Sequence, residues 1–179
     1  MGLGHALPAH ADPTIQQILA EREKSNPEAA QALDDFERSL RASLPFGSYH
    51  MALSATSAAD GDVAFDRDDL CIDEEALDAL MWQLIQPVRV NVIYTEDSCS
   101  ATAPEDERSG IAIGCSNDEG DTFRYLATAS GQPGNLDLTA AYAQYEQDGV
   151  QTMDTHITWT RSSDTCAPQD VEAAETKNR

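Results

Sequence analysis

Four cysteines, Cys71, Cys99, Cys115 and Cys166, constrain this chain more than any other feature, because they are even in number, widely spread and contain no Cys-x-x-Cys pair. Zinc sites usually bring their ligands in close pairs, and thioredoxin-like chemistry needs the short motif outright, so both are disfavoured. Two disulfides fit the spacing, with buried free thiols as the competing reading. Disulfides need an oxidising compartment, and export provides one. The start of the chain points the same way: Ala9-His10-Ala11 before Asp12 has the small-x-small form found left of a signal-peptidase cut. Residues 1–11 are therefore expected to be a signal-peptide remnant or a flexible leader, and the protein to be periplasmic or secreted.

The 179 residues leave room for one domain around one main core. Leu77 to Ile85, the longest apolar stretch, is interrupted by Asp78 and Gln83. It falls well short of the roughly 18 residues that a spanning helix needs, so no membrane insertion is expected. The 32 acidic side chains against 11 Lys and Arg give a formal net charge of -21. Such a surface repels phosphate backbones and anionic lipid, which require a basic footprint, and nucleic acid is excluded as a partner class.

Residues 12–44 read as a helical hairpin or one bent helix. Asp12 and Pro13 start a segment with Ile15, Ile18 and Leu19 on one face. Asn26 and Pro27 then start another, in which Leu33, Phe36, Leu40 and Leu44 form an apolar stripe. This segment could pack on a sheet or serve as a homo-oligomerisation arm. At Pro45-Phe46-Gly47 the period turns to alternation, with Tyr49, Met51, Leu53 and Ala55 on one face and His50, Ala52 and Ser54 on the other. Asp60-Gly61 predicts a hairpin to Val63-Ala64-Phe65.

A helix capped by Asp73 follows Cys71, with Ala76, Leu77, Leu80, Met81 and Leu84 in its buried stripe, and Pro87 is expected to end it. Strands are expected at Val88 to Tyr94, Ile111 to Cys115, Phe123 to Ala129, Leu136 to Tyr145 and Val150 to Thr160. Met153, Thr155, Ile157 and Trp159 form the inward set of the last strand. Short turns between successive strands imply an antiparallel meander. The expected fold is α+β: a curved antiparallel sheet of about six to eight strands, packed by the N-terminal helical segment and one internal helix. Residues 45–166 would form the disulfide-stapled β-rich domain, and 167–179 a flexible tail.

This layout suggests the bridges. Cys99 and Cys115 flank a loop whose polar first part would otherwise be floppy, and linking them is worth roughly 3 kcal/mol. Cys71 would then pair with Cys166, closing the domain at about 4.7 kcal/mol before strain. Other connectivities remain open at this stage.

Pro45 to Leu53, the helix start Leu70-Cys71-Ile72-Asp73-Glu74-Glu75-Ala76, and then Cys99, Cys115 and Cys166 resemble the bacterial periplasmic family classed as domain of unknown function 3617. The similarity covers about residues 45–166. Tyr49 stands where that family carries a tryptophan, the proline of its helix start is absent, and residues 12–44 lie outside it. The resemblance implies export and disulfides. It carries no agreed activity, and so no catalytic residue.

Few residues point to chemistry. His5 and His10 lie in the leader, and His50 and His156 fall on polar strand faces, where surface roles are commoner than metal or acid/base roles. The acidic runs 60–62, 66–69 and 117–121 miss the calcium-loop spacing. No Gly-x-Ser-x-Gly elbow or phosphate-cradling loop occurs. No catalytic residue, metal or cofactor is expected. Phe65, Trp82, Phe123, Tyr125 and Trp159 could line an apolar pocket beneath the helical cover, or simply fill the core. The expectation is a non-enzymatic binding or structural envelope protein holding a partner protein or a small apolar ligand. The alternative is a hydrolase using carboxylates of the Asp-rich loops.

Overall fold

Residue 26 opens the part of the chain that the computed structural model describes, which comprises residues 26–59, 61–94, 98–102, 109–118, 120–146 and 149–166. The expectations for 1–11, for 12–25, for His5 and His10 and for the tail 167–179 lie outside the described residues.

Pro27 occupies the first position of helix α1, Pro27–Ser43, where its missing N–H costs nothing. Ala29, Ala30, Leu33, Phe36 and Leu40 make its buried stripe. Asn26 does not cap the helix with its side chain; its amide oxygen instead accepts the Cys99 N–H at 2.9 Å, fastening the helix start to an edge strand. Because the α1 stripe is consumed in the protein's own core, that face of residues 27–44 is not free to act as the oligomerisation arm.

The strands are β1 (Gly47–Ser57), β2 (Gly61–Ile72), β3 (Ser98–Thr102), β4 (Ser109–Ser116), β5 (Thr122–Gln132), β6 (Asn135–Glu146) and β7 (Gly149–Ser163). They form one antiparallel sheet in the order β2-β1-β7-β6-β5-β4-β3. From β3 to β7 this is the expected meander, and the β1–β2 hairpin adds to it through β1 against β7. The fold class read from the sequence holds: an α+β molecule with, among the described residues, two helices, seven strands and two disulfides.

Two local expectations are corrected. Helix α2 runs from Glu74 to Tyr94 straight through Pro87, so residues 88–94 are helical and not a strand. Asp73 does cap it, accepting the Ala76 N–H at 2.9 Å. The buried residues Leu77, Met81, Ile85 and Val88 recur at four, four and three, and their packing outweighs the roughly 3 kcal/mol that an internal proline costs. The second correction is β3, which occupies Ser98–Thr102 and takes up the start of what reads as a polar loop after Cys99.

The inner face of the sheet carries the core. Cross-strand rows such as Leu53, Ile157 and Leu138, and Met51, Trp159 and Leu136, lie beneath the two helices. The helices run antiparallel, joined by Arg41 to Asp78 at 2.7 Å and Arg89 to Asp34 at 2.7 Å. A turn at Gly131–Gly134 clasps this layer: the Gly134 N–H donates to the Ser43 carbonyl at 2.9 Å, and its carbonyl accepts the Arg161 N–H at 2.7 Å. Gly131 has φ +117°, and a Cβ there would strike the Asn135 carbonyl, so only glycine fits.

Cys99 and Cys115 are bonded as cross-strand partners in β3 and β4, and Cys71 is bonded to Cys166. Both bridges follow the connectivity read from the layout.

Candidate functional site

The outer face of the sheet, opposite the helices, divides into two halves. Over β1, β2 and β7 it is polar. Here the register slips so that Asp68 and Asp69 together oppose His50, a bulge with Asp69 at φ 58°. The bulge turns Asp68 toward His50 Nδ1, at 2.7 Å, with Asp66 at 3.6 Å. His156 meets Asp137 at 3.2 Å. His50 pairs with Thr160 while His156 lies opposite Ser54, four residues along the same strand, so the two imidazoles do not converge. Among the described residues no group of three or more His, Cys, Asp or Glu side chains is placed to hold a metal.

Over β4, β5 and β6 the same face carries an apolar strip among polar residues. One cross-strand row reads Thr102, Ala112, Leu126, Ala141 and Asp154, and the next reads Ser100, Gly114, Arg124, Ala143 and Thr152. Ala112, Gly114, Ala141 and Ala143 are too short to fill the surface above the backbone, so the sheet twist leaves a trough across the strands. Its volume is about 510 Å³. A second hollow of about 300 Å³, floored partly by Thr128, Thr139 and His156, shares Leu126, Ala141 and Asp154 with it. Leu126 is half exposed on the trough floor, and Tyr145 and Val150, cross-strand partners on the same face, extend the apolar surface beyond it. Thr128 and Thr139 hydrogen-bond to each other at 2.7 Å and so offer a rim with few free donors.

The five aromatic residues expected to line a pocket are not brought together around one cavity. Phe123, Tyr125 and Trp159 are buried on the inner face as core filling. Phe65 stands on the inner side of β2, opposite Leu53, and is half exposed. Trp82 projects from α2 into solvent, beside a small cleft between the helices that Arg41, Asp78 and Arg89 also line. Burial pushes the Tyr125 phenol up to about 12. Burial also raises Tyr49, whose hydroxyl donates to the Pro45 carbonyl, with the nearby Arg161 charge acting the other way.

Sequence reading missed the trough. The signal was present at Ala140-Ala141-Tyr142-Ala143, where alternation gives way to apolar residues on both faces. An alternating strand with one wet face has no need of alanine at 141 and 143 or leucine at 126.

Fold and site together define a disulfide-bonded α+β protein whose open antiparallel sheet is covered by helices on one face and troughed on the other. The chain matches no protein-family model, no curated protein and no solved structure. None of the described helices is long and apolar enough to cross a membrane.

Proposed function

We propose that this is a non-enzymatic binding protein of the periplasm or extracellular space, and that it holds a small, largely apolar ligand in the outer-face trough. The trough carries the proposal: a hollow of about 510 Å³ floored by Leu126 and alanines on the solvent side of the sheet, within the size range of small-molecule sites. Two disulfides support an oxidising compartment. The resemblance to domain of unknown function 3617 supports the same location.

The hydrolase alternative calls for a pair of carboxylates in a closed cleft. Among the described residues the buried polar side chains are Asn26 and Ser48, and neither is an acid. Binding is therefore the reading that the geometry favours.

Titration with an environment-sensitive apolar dye tests it. The wild-type protein should take up the dye saturably, and Leu126→Asp, an exposed position that leaves the core untouched, should abolish uptake while near-UV circular dichroism stays unchanged. Equal uptake by both proteins would refute the trough as the binding surface.

A further inference from the structure

Charge inside the trough deepens the assignment of its ligand. Arg38, Arg41, Arg89 and Arg161 each hold a carboxylate, from Asp35, Glu37 and Asp78, Asp34, and Asp164 respectively. Arg124 makes no ion pair or hydrogen bond among the described residues, although the chain carries 32 acidic side chains against 11 Lys and Arg. Its cross-strand neighbours on the outer face are Gly114 and Ala143, neither of which can reach its guanidinium. One row along the same strand lies Leu126, with Ala112 and Ala141 on either side. At the β7 end of that row stands Asp154. The trough thus has an unengaged cation beside the middle of an apolar strip, and an anion at the strip's β7 end.

We infer that the ligand of this trough is an amphiphile with a single carboxylate head, seated with the head on Arg124 and the hydrocarbon tail on Leu126, Ala112 and Ala141. The inference rests on the trough being the binding surface. A planar guanidinium meets a carboxylate through two parallel hydrogen bonds, which fixes the head more tightly than a point charge would. Asp154 disfavours a head placed toward the β7 end of the strip, which leaves the Arg124 side as the place for the charge. The overall field works against this preference: a net charge of -21 disfavours any anion, and a neutral alcohol with the same tail escapes that penalty. A measured preference for the acid must then come from a local cation.

Displacement of the apolar dye by dodecanoate and by dodecanol, both below their aggregation limits and with the disulfides intact, reads the preference directly. Wild type should bind the acid about tenfold tighter than the alcohol, as a charge-assisted bidentate contact implies. Arg124→Gln should abolish that ratio and leave the alcohol unchanged. Arg67→Gln, which alters another arginine without an ion pair on the opposite face beside Met51, should keep it. Leu126→Ser should weaken both ligands. Equal binding of acid and alcohol by wild type, or loss of the ratio in Arg67→Gln, overturns the carboxylate assignment while leaving the trough in place. Failure of both compounds to displace the dye from wild type overturns the assignment and the trough together.

Discussion

Cys71 and Cys166 are joined across an intervening strand, with their Cα atoms 5.2 Å apart. Cys71, next to last in β2, lies opposite Ser48 of β1, Ser48 lies opposite Ser163 of β7, and Cys166 follows just beyond. The Ser48 hydroxyl donates to the Thr165 carbonyl at 3.0 Å, which holds the segment after β7 against the start of β1. Cys99 and Cys115 by contrast link immediate neighbours, and their span of 16 residues is far shorter than the 95 of the first bridge.

This contrast predicts unequal losses. Replacing Cys71 and Cys166 together by serine should cost up to about 4.7 kcal/mol, and replacing Cys99 and Cys115 up to about 3 kcal/mol, by the loop-closure argument. Urea denaturation measures both. The second pair should in addition speed amide exchange in β3, an edge strand of only five residues, ahead of the rest of the sheet.

The two tryptophans should respond in opposite ways. Trp159 is 1% exposed and belongs to the core, whereas Trp82 is 67% exposed. Trp159→Ala should destabilise by about 3–5 kcal/mol. Trp82→Ala should stay within about 0.5 kcal/mol of wild type. Equal effects in chemical denaturation would contradict the packing described.

Pro87 should be a correctable cost. It is exposed inside α2, and it supplies no N–H to the preceding turn of the helix. Pro87→Ala should raise stability by about 1–3 kcal/mol, the gain being reduced because proline also restrains the unfolded chain. A thermal melt followed by far-UV circular dichroism reads the change.

Alkaline pH should unfold the protein partly through Tyr125. Its phenol is pushed up to about 12 by burial from the ordinary value of 10. Below pH 10 both states keep the proton and the stabilisation is whole. Between pH 10 and 12 the unfolded phenol ionises while the folded one does not, so stability falls by about 1.4 kcal/mol per pH unit. Beyond that range the loss levels off. Tyr125→Phe should remove this part of the slope, measured as the difference from wild type in denaturation midpoints at pH 9 and pH 11.5.

Much of the fold was legible because its signals are local or nearly so. Alternation marked Tyr49, Met51 and Leu53 as one face, and the structure puts them toward the helices. Spacing of three and four marked Leu33, Phe36 and Leu40 as the buried side of α1. Short connections implied antiparallel neighbours, and the cysteine pairs followed from the order of the elements.

What the order of residues did determine, then, was periodicity, turn positions, charge and the sulfur connectivity, since each is set by neighbours in the chain or by the sequence of elements. Only the tertiary structure decided that α2 continues through Pro87, that Ser98–Thr102 pairs as a strand, and that Arg124 stands beside Leu126 above a floor of alanines. Those outcomes depend on packing energy summed over residues far apart in sequence. A proline's local cost is outweighed by a buried helical stripe, and a hollow exists only where five strands set short side chains next to one another.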